Sequence, residues 1–306
     1  MSSKVTGEYL VQDLVDSDCK VISISFKSSI GDALRLLKEH KISALPVYKK
    51  DGHYTGYIDV IDIVAALTIA GVSFKVIEAI GSFTVEECLE KEGEFEFASL
   101  EVGEVAGASE RNPWVTIEKH EKISKLIHLL TTEDLHRVAV TDGGEIVDIV
   151  SQFRVLKYLL EKLKEEKGYH GITMTPAPKK PIECCTMDDI VIECFAKLKM
   201  EKITGMPIID NEGRLIGSFS ASDIKSCLDG ELLKFLWCPL KSLIEQAQKH
   251  WNRSDDFLIT CEEGDSIEHI MQLMVDNHIH RMFKVDENYQ PQRVVSLRDI
   301  LQQFSD

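Results

Sequence analysis

The sequence is poor in positive charge: 35 lysines and arginines stand against 51 aspartates and glutamates, a formal net charge of −16. Such a balance repels polyanions, which argues against nucleic acid and anionic membranes as partners. A small anionic ligand stays open, because a local basic cluster can act inside an acidic shell. No apolar run is long enough to span a bilayer: VIDIVAALTIAGV at 60–72 is too short and carries Asp62. The opening residues MSSKVTGEYLVQDLVDSDCK lack the apolar core of a secretory signal. The eight cysteines have no paired spacing, and neither CxxC nor HxxxH occurs. These features lead us to expect reduced, mostly buried thiols, no metal site, and a cytoplasmic location, extending to the nucleus. Catalytic signatures are missing too. There is no GxSxG elbow, no GxxxxGK[ST] loop and no set of kinase loop motifs, so the chain does not read as an enzyme.

What the sequence has is repetition. Four segments share one pattern: ISALPVYKKDGHYTGYIDVIDIVAAL at 42–67, LHRVAVTDGGEIVDIVSQFRVLKYL at 135–159, ITGMPIIDNEGRLIGSFSASDIKSCL at 203–228 and IHRMFKVDENYQPQRVVSLRDILQQF at 279–304. Each holds an apolar strand, a turn (KDG, DGG, DNEG, DENY) built from residues that tolerate positive φ, a second apolar strand and an amphipathic helix. Ser43, His136, Thr204 and His280 occupy one register. A further helix precedes each segment, with core stripes at Ile30, Ala33, Leu34 and Leu37; at Ile123, Leu126, Ile127 and Leu130; at Ile190, Val191, Cys194 and Leu198; and at Ile267, Ile270, Met271 and Met274. Short β segments lie upstream of these helices (CKVISISF, WVTIE, PIECC, FLITC), so each unit runs β-α-β-β-α.

The spacing suggests how the copies group. Residues 68–112 insert two helical stretches, GVSFKVIEAI and TVEECLEKEG, between copies one and two. The Pro-rich, charged stretch KEEKGYHGITMTPAPKKP reads as a linker between two paired modules. The first module is then 1–168, with copy one at about 8–70, the insert at about 71–107 and copy two at about 108–166. The second is 169–306, with copy three at about 172–230 and copy four at about 250–306.

The helix starts carry the candidate chemistry. Ser220 and Asp223 recur as Ser296 and Asp299, three residues apart at strand-to-helix junctions. One such pair is accounted for by an ordinary helix N-cap. An ionised carboxylate accepts hydrogen bonds only, however, and can take both hydroxyls of a cis-diol such as ribose. The neighbouring hydroxyl and helix N-terminus suit phosphate or sugar oxygens. His136–Arg137 and His280–Arg281 fall at equivalent strand starts and have the chemistry to hold phosphate. Met206, Ile208, Met282 and Phe283 are candidate apolar walls for a base. His278 and His280 read as one outward and one inward imidazole.

A β-α-β-β-α unit with an ALP or GMP strand start and a closing S-x-x-D-h-h resembles the cystathionine-β-synthase (CBS) domain. Four in tandem resemble the γ regulatory subunit of AMP-activated and sucrose-non-fermenting-type protein kinases, over nearly the whole chain. The acid register Asp62, Arg154, Asp223, Asp299 is similar to the γ pattern, in which the Arg-bearing site stays empty. The resemblance implies an α+β fold of four CBS repeats paired into two Bateman modules. It also implies a non-catalytic adenine-nucleotide sensor partnered by protein kinase catalytic and scaffold subunits. AMP, ADP or ATP would sit at Asp62, His136, Arg137, Arg154, Thr204, Ser220, Asp223, His280, Arg281, Ser296 and Asp299, with an S-adenosyl compound ranked behind them. Three departures deplete the basic cluster: Asp59 replaces the Ser before Asp62, Phe153 stands where γ subunits place a Lys, and Ser43 stands where they usually carry an Arg. A neighbouring group of four-CBS proteins looks similar around ERNPWVTIEKHEKISKLIHLL. It makes a scaffold or inhibitor of a kinase or phosphatase, with vestigial clefts, the alternative.

Overall fold

In a computed structural model of the chain, each copy forms its own small sheet. The structure describes residues 9–16, 20–70, 99–133, 135–165, 173, 181–227, 233–251, 258–262 and 264–305. The two helical stretches read in the insert, within 71–98, and nearly all of the Pro-rich linker lie outside these residues.

Copy one comprises β1 (Ile24–Ser25), α1 (Ile30–Glu39), β2 (Ala44–Tyr48), β3 (Tyr54–Asp59) and α2 (Val60–Ala70). A short α3 (Val102–Val105) follows, then copy two: β4 (Thr116–Glu118), α4 (Ile123–Thr132), β5 (Arg137–Asp142), β6 (Glu145–Ser151) and α5 (Gln152–Glu165). Copy three runs β7 (Cys185–Thr186), α6 (Val191–Met200), β8 (Gly205–Ile209), β9 (Leu215–Ser220), a 3-10 turn and α7 (Ile224–Cys227). After α8 (Leu240–Trp251) comes copy four, with β10 (Thr260–Cys261), α9 (Ile267–Asp276), β11 (Arg281–Val285), β12 (Pro291–Ser296) and α10 (Leu297–Leu301). In every copy the first strand pairs parallel to the second, and the second antiparallel to the third. The parallel step needs a crossover, which the first helix supplies.

Three of the first helices end alike. Lys41, Lys202 and His278 take the left-handed conformation, with φ of 53°, 53° and 51°. Each donates its N–H three residues back, and the following isoleucine (Ile42, Ile203, Ile279) donates to Leu37, Leu198 or Met274. This Schellman turn normally uses glycine, which has no Cβ to strain.

By its internal packing the chain divides into two compact units, and both join alternate copies. One consists of Met1–Val21, Asn112–Ile182 and Ile259–Asp306, and carries copies two and four. The other consists of Ile22–Arg111 and Glu183–Leu258, and carries copies one and three. The first unit buries Val155, Leu156 and Leu159 of α5 with Met271, Met274 and Ile300. The second buries Ile63, Val64 and Leu67 of α2 with Cys194, Phe195 and Leu198. A division at 168/169 therefore passes through both units.

Copies adjacent in sequence are connected in another way, by exchange of their leading segments. Leu10, ahead of copy one, bridges Lys122 of copy two, and Glu101, ahead of copy two, bridges Ser29 of copy one. Thr173, ahead of copy three, bridges Ser266 of copy four, and Pro239, ahead of copy four, bridges Ile190 of copy three. Each bridge lands at the N-cap of a first helix, where backbone groups lack helical partners. Two of these exchanged segments carry the helices α3 and α8, which are not among the helices expected from apolar spacing. Ile190 is likewise the N-cap of α6 rather than part of its buried stripe, in which Val191, Ile192, Cys194, Phe195 and Leu198 are buried. Of the described cysteines, Cys185, Cys194, Cys238 and Cys261 are buried thiols and Cys184 is half-buried.

Candidate functional site

One backbone hydrogen bond fixes the same meeting point in all four copies. The N–H groups of Val60, Gln152, Ala221 and Leu297 donate to the carbonyls of Ser43, His136, Thr204 and His280 at 3.2, 3.0, 3.0 and 3.2 Å. The strand start and the helix start are therefore neighbours, as the shared register requires. The next residues face one another across the hairpin: Ala44 and Asp59, Arg137 and Ser151, Gly205 and Ser220, Arg281 and Ser296. Arg281 thus lies opposite the serine that caps α10. His136, Arg137 and Arg281 are half-buried, and His280 is exposed.

Copies three and four build the same acid-bearing junction. Asp223 Oδ2 accepts from the Ser220 N–H at 2.7 Å and from its hydroxyl at 3.1 Å. Asp299 Oδ2 accepts from the Ser296 N–H at 2.8 Å and from the Ser296 hydroxyl. In both, one carboxylate oxygen closes the capping box. The other oxygen of Asp299 lies 3.5 Å from an Arg293 guanidinium nitrogen, in a partly exposed pair. Such a carboxylate is an acceptor already oriented by its own helix, and each junction remains half-exposed to solvent.

Copies one and two are closed differently. Asp62 is 2% exposed and Asp59 is 1% exposed. Asp62 Oδ1 accepts from the Ser109 hydroxyl at 2.6 Å and from the Ser109 N–H at 3.0 Å, while Oδ2 accepts from the Asp59 N–H at 3.1 Å. Ser109 belongs to the exchanged segment ahead of copy two. Its hydroxyl stands on the carboxylate as a sugar hydroxyl would, so Asp62 already has its donors. Burial, reinforced by the charge of Asp59, pushes the Asp62 carboxyl up to about 7. In copy two, Arg154 pairs with Asp148, whose side chain is 1% exposed. Asp148 also accepts from the Asp16 N–H at 3.1 Å and from the Ile149 N–H at 2.7 Å. The Arg154 charge thus answers a buried acid of its own copy.

The structure gathers His136, Arg137, Arg154, His280, Arg281, Ser296 and Asp299 into one unit, and Asp62, Thr204, Ser220 and Asp223 into the other. Two expectations are corrected. His278 and His280 are not split inward and outward: both rings lie against Phe153, with centroids 5.8 and 5.5 Å away. His278 is held there by its place at the Schellman turn. Met206, Ile208, Met282 and Phe283 are no open walls for a base, because all four are at most 3% exposed. Met206 and Ile208 share one face of β8 and lie in its unit's core, Met282 of β11 lies in the other core, and Phe283 is buried on the opposite face of β11. Ser109, Asn112 and Asp148 escaped the sequence reading, since each acts on a residue that no local motif links to it.

Four β-α-β-β-α repeats, each closing on a capped second helix, with acids retained at three of the four caps, define a tandem-repeat α+β protein with its candidate site at the strand–helix junctions. The CBS-domain profile matches residues 11–69, 102–161, 173–230 and 255–306, and the chain belongs to the CBS-domain family. It is similar to the SNF1-related protein kinase regulatory subunit gamma-like protein of Arabidopsis thaliana, at 22% identity over 96% of this chain and 94% of that one. It is also similar to the 5'-AMP-activated protein kinase subunit gamma of Kluyveromyces lactis, at 26% identity over 51% of this chain and 47% of that one. The chain therefore spans nearly all of the first relative and about half of the second. A solved structure from Methanocaldococcus jannaschii, proposed as an archaeal homologue of γ-AMPK, shares the fold with a TM-score of 0.73. It is 19% identical and covers 97% of this chain and 100% of its own.

Proposed function

We propose that the chain is a non-catalytic, adenine-nucleotide-sensing regulatory subunit of a protein kinase complex. The observation that carries this reading is the matched junction at Ser220–Asp223 and Ser296–Asp299, with Arg281 opposite Ser296. A carboxylate at each junction suits a ribose diol, and the strand-start His and Arg suit phosphate. The γ-subunit relatives support kinase catalytic and scaffold subunits as partners. Ligand at the junctions would favour one arrangement of the chain and so bias its partner. Copies three and four supply the sites in this reading. Copy one is filled by Ser109 and copy two by the Arg154–Asp148 pair.

That filling also favours a second reading, a scaffold or inhibitor with weak nucleotide sites. Calorimetric titration of the purified chain with AMP, ADP, ATP and S-adenosylmethionine separates the two readings. Saturable binding of an adenylate supports the sensor, and no heat with any of the four leaves the scaffold. Capture of a kinase catalytic subunit on the immobilised chain tests the partner.

A further inference from the structure

Asn112, four residues ahead of β4, is 5% exposed and has a φ of 52°. Asparagine is among the few residues that adopt this left-handed conformation at modest cost. Its amide grips one residue twice. Oδ1 accepts the backbone N–H of His136 at 2.8 Å, and Nδ2 lies 3.3 Å from Nδ1 of the His136 ring.

The first contact decides the chemistry of the second. Because the oxygen is committed to a backbone N–H, the amide cannot be turned over, and the group facing the ring is an N–H donor. A donor at 3.3 Å requires a lone pair on Nδ1. A proton there would set N–H against N–H. The backbone on the other side is fixed as well, since the His136 carbonyl accepts from the Gln152 N–H at 3.0 Å. The Gln152 side chain in turn donates to Leu130 and Leu135 carbonyls at 3.1 and 2.9 Å. The imidazole is therefore held in place and in tautomer.

We infer that Asn112 is a positioning residue that keeps His136 as the neutral tautomer with its proton on Nε2. His136 then presents a single N–H donor beside Arg137, matched to an oxygen acceptor such as a phosphate or sugar oxygen. The choice of ligand oxygen rests on the nucleotide reading above, whereas the tautomer follows from the Asn112 contacts alone.

The test is a two-bond proton–nitrogen correlation spectrum of the full-length, histidine-labelled chain near neutral pH, with the His136 signals assigned by His136→Gln. The expected pattern is an unprotonated Nδ1 and a protonated Nε2. Asn112→Asp keeps the backbone acceptor but turns a carboxylate oxygen toward the ring, and it should move the proton to Nδ1. A protonated Nδ1 in the wild type, or an unchanged pattern in Asn112→Asp, overturns the assignment. If that variant fails to fold, the wild-type spectrum decides alone. Addition of AMP should shift the Nε2–H signal. If AMP leaves it unmoved while the tautomer is as expected, the positioning role stands and the phosphate role of His136 is overturned.

Discussion

Replacing Ser109 with alanine removes the shortest of the hydrogen bonds on Asp62, and the cost should depend on pH. The carboxyl of Asp62 stands at about 7 in the folded chain, against an ordinary value of 3.8. A raised folded value means that the folded chain holds the extra proton between about pH 4 and 7. This group therefore favours folding most on the acid side, and that contribution fades as pH climbs through the window. Each pH unit in the window is worth about 1.4 kcal/mol, or about 4 kcal/mol for the whole rise. Above the window Asp62 is charged, and the 2.6 Å bond from Ser109 is charge-assisted. Its loss should cost about 1.5–3 kcal/mol at about pH 8.5, but only about 0.5–1.5 kcal/mol at about pH 5, where both groups are neutral. Urea unfolding of wild type and Ser109→Ala, followed by far-UV circular dichroism at both pH values, measures the difference. Other acids cancel in the wild-type-minus-variant comparison. An equal loss at the two pH values, or less than about 0.5 kcal/mol at the higher one, would refute the claim that Ser109 satisfies a buried charge.

Two other substitutions probe the frame of the site. Arg154→Leu strands the buried Asp148 and should destabilise by about 3 kcal/mol, the low end for a broken buried pair because Arg154 is 33% exposed. Adding Asp148→Asn should recover part of that loss, and a single-variant effect below about 1 kcal/mol in urea unfolding would show that solvent or the two N–H donors suffice. Lys202→Gly relieves the left-handed strain at the end of α6 and should stabilise by about 1 kcal/mol, seen as a higher urea midpoint with an unchanged slope. A lower midpoint would mean that the lysine side chain outweighs the strain.

The repeat, its register and its caps were legible in the sequence because each is set by residues a few positions apart. The apolar stripes of α1, α4 and α9 follow helical spacing, and Ser296–Asp299 closes within one turn. Which helices pack on one another between copies was not legible in the same way. Whether α2 packs on α6 or α5 on α9 is decided by the shape of apolar faces, and all four copies present similar ones. Closure of the first two sites was hidden for a related reason. Ser109 lies 47 residues from Asp62, and the Asp16 amide lies 132 from Asp148. The departure at Asp59 was visible as an added charge. That the charge is buried, and that it raises Asp62 rather than repelling phosphate from an open cleft, required the fold.

The proposed nucleotide binding rests on the carboxylates of copies three and four. Calorimetric titration of AMP into wild type and into the Asp223→Ala/Asp299→Ala double variant measures that dependence. Each substitution should weaken its site by about 1–3 kcal/mol, roughly 5- to 150-fold, through loss of a charged hydrogen-bond acceptor. A double variant that binds AMP as tightly as wild type would contradict the account.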